Sequence, residues 1–147
     1  MPYEFKATRR VEFSETDMAG IMHYSNFFRF METAEHAFYR SLGFSVVFDR
    51  RDPPLGFPRV HAECDFRKPL RFEDLVEIHL LVREKKSKSL SFCFRFRNLT
   101  ASPPEEAARG VVTIVCVARQ PDGSMVAAKI PPEIADRLEV APSELLV

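Results

Sequence analysis

Between Tyr24 and Leu42 the chain carries one broad apolar stripe at helical spacing. Phe27, Phe28, Phe30, Met31, Ala34, Ala37, Phe38 and Leu42 form it, and Arg29, Glu32, Glu35, His36 and Arg40 mostly interrupt it. Intervals of three and four place the stripe on one side of an α-helix. Gly43 is a natural stop. Ser25 and Asn26 are candidate caps, with Tyr24 as the alternative boundary. Such a helix of about 18 residues would be about 27 Å long. So many aromatics on it call for a wide sheet wrapped around its apolar side.

The remaining sequence supplies strands. Residues 5–14 alternate, with Phe5, Ala7, Val11 and Phe13 on one face. Further strands are expected at 59–67, 74–85, 88–98 and 108–119. Residues 44–58, rich in proline, read as loop with room for a short helix. Pro69 breaks any ladder between the first two of the later strands. Glu84–Lys88 is a tight polar turn, and the apolar run Val111–Ala118 is expected to be a central strand buried on both faces. Pro131-Pro132 opens a short terminal helix. One long helix against one antiparallel sheet is an α+β fold. The sheet's far face needs cover, which points to a dimer or larger assembly.

At 147 residues the chain is expected to be one domain spanning 1–147. The 21 basic and 21 acidic side chains cancel, which argues against a large basic surface for nucleic acid. Cys64, Cys93 and Cys116 are far apart with apolar neighbours and read as buried free thiols of a reducing compartment. No stretch reads as a signal core or a membrane span, so a cytoplasmic protein is expected. The four histidines are scattered without HxH or HExxH spacing, so no metal site is expected.

The run Ser14–Asn26 carries the chemistry. Asp17 lies seven residues before Tyr24, where the helix begins, and Gly20 lies between them. A carboxylate beside exposed helix N–H groups is a base or nucleophile next to an oxyanion site. The competing reading of Asp17 is a turn or capping residue. Gly20 serves geometry, either by turning the chain tightly or by passing close to a substrate.

Glu12-Phe13, Asp17, Ala19-Gly20-Ile21, Tyr24, Asn26 and the helix that follows resemble the hotdog-fold acyl-CoA thioesterases, above all the 4-hydroxybenzoyl-CoA thioesterase branch. The later strand order resembles the same fold, so the likeness spans nearly the whole chain. It implies a long central helix wrapped by a curved antiparallel sheet. It also implies protomers paired edge to edge, active sites at the dimer interface, and in many relatives a tetramer of two dimers. The catalytic carboxylate falls on Asp17, the N–H that polarises the thioester carbonyl on Tyr24, and a residue orienting that helical turn on Asn26. The chain departs from the pattern at His23. The 4-hydroxybenzoyl-CoA branch has another aromatic there, and a related branch places histidine where this chain has Tyr24. His23 is thus left between orienting water, touching the acyl group and an ordinary surface role.

The implied activity is hydrolysis of an acyl-CoA thioester to a carboxylate and coenzyme A, with no cofactor beyond the coenzyme A of the substrate. Two alternatives stand beside it: a hotdog hydratase or dehydratase, and a non-catalytic acyl-CoA or acyl-carrier-protein binding module. Glu15 is a second nearby carboxylate that could divide acid and base roles with Asp17, or more simply be solvated or paired with a strand arginine, and Glu32 is a reserve catalytic candidate. Phe27, Phe28, Phe57 and Phe66 are candidates for an acyl pocket, with Phe57 ranked first. Lys85, Lys86 and Lys88, or the competing Arg67, Lys68 and Arg71, would attract the coenzyme A phosphates.

Overall fold

The computed structural model describes residues 2–47 and 51–147, so positions 48–50 of the expected 44–58 loop lie outside the described residues. In chain order it forms β1 (Glu4–Arg10), α1 (Ser25–Ser41), β2 (Leu55–Gly56), β3 (Arg59–Phe66) and β4 (Leu75–Lys85). Then come β5 (Ser89–Asn98), β6 (Glu105–Val115), β7 (Val117–Arg119), β8 (Met125–Ala127) and α2 (Pro132–Ala135). The main sheet is antiparallel, in the order β1-β4-β5-β6-β3, and β2-β7-β8 make a small second sheet. The long helix packs against the curved main sheet, an α+β hotdog arrangement.

The core follows from two periods meeting. Phe27, Phe30, Met31, Ala34 and Phe38 of α1 are buried at helical spacing. They face Val76, Ile78, Leu80 and Val82 of β4 and Leu90, Phe92, Phe94 and Phe96 of β5, alternate residues of two paired strands. Each of these side chains larger than Ala34 contributes about 1.5–3 kcal/mol by leaving water. Phe38 meets Phe92 edge-on at 6.4 Å, and Phe27 meets Phe96 at 5.2 Å. Gly110 of β6 has no Cβ because one would strike the Met31 side chain and approach the Glu63 carbonyl oxygen to 3.2 Å. The end of the Met31 side chain therefore packs directly over the Gly110 backbone.

Three expectations are corrected. The first strand ends at Arg10, and Phe13 lies in a 3-10 turn with 75% of its surface exposed. β6 begins at Glu105 rather than 108, because β5 pairs with it as far as Asn98–Glu105. Nor is β6 buried on both faces: Val112 and Ile114 are buried, while Val111, Thr113 and Val115 are only half-covered on the other side. That far face carries ion pairs such as Arg97–Glu77 at 3.6 Å. Part of it is covered by the chain itself. Ala141 donates its N–H to the Val82 carbonyl at 2.8 Å, and Arg95 donates to the Val147 carbonyl at 2.7 Å. Leu81, on the same side of β4 as His79, is fully buried.

The other edge of the sheet is open. Among the described residues β3 hydrogen-bonds β6 on one side only, and seven of its eight residues are exposed. A strand of that length with an unpaired edge is a template for pairing.

Candidate active site

The segment between the first 3-10 turn and α1 is a compact, self-bonded loop. Thr16 and Met22 form an isolated antiparallel bridge. The Asp17 N–H donates to the Ile21 carbonyl at 3.0 Å, and the Gly20 N–H donates to the Asp17 carbonyl at 2.9 Å. Gly20 has φ +78°, and nothing lies within 4 Å of where its Cβ would be. The glycine is therefore required by the turn and not by a close approach. Met22 donates its N–H to the Leu70 carbonyl at 2.6 Å, which ties the loop to the connection around Pro69.

Glu15 anchors this loop from below. It is 8% exposed and pairs with Arg9 at 2.9 Å, so of its expected simpler roles it takes the strand-arginine pairing and is not solvated. Its backbone carbonyl accepts both the His23 N–H at 2.9 Å and the Asn26 side-chain amide at 2.8 Å. Asn26 thus fastens the first turn of α1 to the residues just before Asp17. His23 turns its Nδ1 to Ser25, 2.8 Å from Oγ and 3.3 Å from the Ser25 N–H. Neither Ser25 nor Asn26 caps the helix with its side chain. The boundary is Tyr24, and it has no side-chain cap.

The consequence is an open helix end. Among the described residues the Tyr24 N–H finds no acceptor, and the aligned peptide dipoles of α1 place partial positive charge there. Asp17 holds one carboxylate oxygen, Oδ1, 2.9 Å from the Ala19 N–H, and Oδ2 has no protein donor among the described residues. Asp17, Ile21, Tyr24, Phe27, Phe66 and Arg67 border one cleft of about 470 Å³. Phe66 is half-exposed and stands edge-on to Phe27 at 5.0 Å and to Tyr24 at 6.5 Å.

Of the sequence candidates, Asp17, Tyr24, Phe27, Phe66, Arg67 and Lys68 come together in this cleft. Gly20 borders a neighbouring cleft that also reaches Asp17, and His23 and Asn26 shape the helix start. Others lie elsewhere in the chain. Phe57 lines a small cavity with Tyr39, Phe44, Leu90 and Ile134, at the opposite end of α1. Lys85 donates to the Ala135 and Leu138 carbonyls at 2.9 Å each, so its ammonium caps α2. Lys86 pairs with Glu84 at 2.8 Å, and Arg67 pairs with Glu106. The lysine turn, with Lys88, adjoins Cys116 and Ile130, also away from Asp17 within one chain. Glu32 is exposed and near Arg59, 3.8 Å away. Ile21, Met22, Pro69 and Leu70 are cleft residues that sequence reasoning did not single out; the proline offered only a break in the ladder.

Burial, with Asp65 adding to it, pushes the Cys64 thiol up to about 12, which removes it as a thiolate nucleophile. No three His, Cys, Asp or Glu side chains among the described residues are grouped to hold a metal ion. No helix among them is long and apolar enough to cross a membrane.

In this hotdog scaffold Asp17 and the start of α1 thus border one cleft. The model of the thioesterase-like superfamily matches residues 11–138. A putative esterase of Aquifex aeolicus is 39% identical over 94 residues, covering 64% of this chain and 71% of that protein. A 1,4-dihydroxy-2-naphthoyl-CoA hydrolase of Gloeothece citriformis is 30% identical over 110 residues, covering 74% of this chain and 76% of the relative. The solved structure of a gentisyl-coenzyme A thioesterase superposes with a TM-score of 0.77 at 31% identity, covering 92% of this chain and all (100%) of the other. The chain belongs to the thioesterase-like superfamily and is a thioesterase of the hotdog fold.

Proposed function

We propose that the chain hydrolyses the thioester of an aromatic acyl-CoA, with Asp17 as nucleophile or general base and the Tyr24 N–H as oxyanion donor. The observation that carries this reading is the shared cleft. It joins a carboxylate with a free oxygen, an unpaired helix N–H and three aromatic walls. As a nucleophile, Asp17 adds through Oδ2 to the thioester carbon while the carbonyl electrons move onto oxygen. The Tyr24 N–H and the positive end of α1 stabilise that oxygen. Collapse expels coenzyme A thiolate and leaves an anhydride, which water cleaves. As a base, Asp17 takes a proton from water, and the hydroxide adds to the same carbon. A thiolate leaves readily, so neither route needs a strong general acid or a bound cofactor.

An aryl group suits the Tyr24, Phe27 and Phe66 edges, where a planar ring packs edge-to-face. The dihydroxynaphthoyl and gentisyl groups named for two relatives are of that kind. The open edge of β3 supports a homodimer. When two identical strands pair antiparallel about a two-fold axis, the Arg59 end of one meets the Phe66 end of the other. Phe57 and the Lys86–Lys88 turn lie at the Arg59 end of the sheet, because Pro58 and Lys88 bond neighbouring residues of β6 and its continuation. Pairing would therefore carry them toward the Asp17 cleft of the second copy, where acyl and phosphate contacts are needed.

The test is thiol release from a panel of aryl-, short-, medium- and long-chain acyl-CoAs, with the native protein and Asp17→Asn side by side. Aryl thioesters should turn over with the highest kcat/KM, and the variant should be nearly inert. Tight acyl-CoA binding without turnover by the native protein would favour a binding module instead.

A further inference from the structure

Among the described residues Glu35 is the most deeply enclosed carboxylate, with 1% of its side chain exposed. The hydrolysis above does not use it. It stands about three turns into α1. One of its oxygens, Oε2, accepts the Tyr39 O–H at 2.9 Å, and the other, Oε1, accepts Arg59 Nη2 at 2.6 Å. Arg59 is the first residue of β3 and stands at an irregularity where the pairing with β6 shifts register before His61. Its second amino group donates to the Phe57 carbonyl at 3.1 Å. One enclosed carboxylate on the central helix therefore holds, through one guanidinium, the point where the loop becomes the open edge.

Stability does not explain this pair. Burial pushes the Glu35 carboxyl above its ordinary range even though Arg59 and the Tyr39 hydroxyl pull it down. The surroundings disfavour the Glu35 charge on balance, and replacing both partners of such a pair by apolar side chains of similar volume is often neutral or stabilising. What an apolar residue would not supply is a fixed, directional hold on Arg59.

We propose that Glu35 is a positioning residue for thioester hydrolysis. Through Arg59 it sets the start of β3 and the Phe57 carbonyl, and with them the wall that this end presents to the Asp17 cleft of a second copy. The role rests on the edge-paired dimer and the hydrolysis described above.

The experiment compares the full-length native protein with Glu35→Gln, Arg59→Gln, Arg59→Lys and the Glu35→Gln/Arg59→Gln double variant. Dimer dissociation is measured by sedimentation, KM and kcat on an aryl-CoA by thiol release, and folding by thermal melting. Glu35→Gln should raise KM about fivefold, leave kcat within about twofold and weaken the dimer, with an unchanged or higher melting temperature. The double variant should be no worse than either single Gln variant, and Arg59→Lys should recover part of the loss. Folded variants with native KM and native dimer affinity would overturn the role. So would a loss of kcat at constant KM, which would put Glu35 in the chemistry itself. If the native protein turns over no thioester, the hydrolysis reading fails by itself. Dimer affinity then decides: weakening in Glu35→Gln supports the hold on β3, and an unchanged dimer overturns it.

Discussion

The two ends of α1 are built to opposite purposes. At the C-terminal end the last carbonyls are taken up and the space is filled. Gly43 adopts φ +92°, the Phe44 N–H returns to the Tyr39 carbonyl at 3.1 Å, and Arg137 donates to the Leu42 carbonyl at 2.9 Å. Phe44 stacks on Tyr39 at 5.2 Å, and the gap that remains is about 10 Å³. At the N-terminal end Tyr24 makes no side-chain cap, the loop bonds mainly to itself, and a cleft of about 470 Å³ stands open. One amphipathic pattern thus yields a sealed end, where side chains bury area, and an open end, where the Tyr24 N–H and Asp17 border a cleft. Residues of the first kind should govern stability and those of the second should govern rate.

That division can be broken by experiment. The largest effect is expected from Asp17→Asn, which should lower kcat by about a thousandfold in steady-state thiol release, because it removes the acid–base or nucleophilic function. Its thermal melt should stay close to native, since Asp17 lies on the surface of a self-bonded loop. Phe38→Ala at the other end should do the reverse. It should cost about 3–5 kcal/mol in denaturant unfolding while the folded fraction keeps its kcat. A comparable loss of kcat in folded Phe38→Ala protein would deny the separation.

Phe66→Ala tests the aromatic wall. It should raise KM for an aryl-CoA about tenfold, with a smaller change for a short-chain thioester, and should cost little stability because Phe66 is half-exposed. Tenfold corresponds to about 1.4 kcal/mol of binding. A smaller effect attaches to pH. Glu35, facing Arg59 from β3 and Tyr39 and Glu32 from its own helix, keeps its proton to higher pH in the folded chain than in the unfolded one. The stability this supplies is complete below the ordinary glutamate range and is lost as pH rises through the raised native value. Denaturant midpoints should therefore fall across that window, and the part due to Glu35 should vanish in Glu35→Gln. The smallest change is expected for Tyr24→Phe, within about twofold in kcat, because the main-chain N–H and not the phenol is assigned the catalytic role. Equal losses in Tyr24→Phe and Asp17→Asn would sink that assignment.

Much of the fold was legible along the chain. The spacing of Phe27, Phe30, Met31, Ala34 and Phe38 placed the helix within one residue at each end, and the strands expected at 74–85 and 88–98 fall on β4 and β5. Misreadings came where local pattern and tertiary cover part company. Phe13 continues an alternating run, yet Glu12 and Glu15 close a capping box around it and turn it out of the strand. The run from Val111 reads as doubly buried, yet β6 has one core face only. The closeness of Asp17, Gly20 and Tyr24 was legible because loop, turn and helix start are consecutive. That Phe57 lies at the opposite end of α1 within one chain was not legible, because its position depends on tertiary packing and not on local pattern.

The sequence alone determined the elements and the chemical groups: a helix with one apolar face, strands enough to wrap it, and a carboxylate seven residues before the helix start. These are local properties, set by side-chain periodicity and chain geometry. Only the tertiary structure decided that Glu15 and Asn26 tie the helix start to the Asp17 loop, that Lys85 caps another helix, and that Glu35 holds Arg59 at the open edge. Each of these is a contact between segments distant in sequence or at unlike periods, and its energy exists only once packing has brought the groups within hydrogen-bond reach.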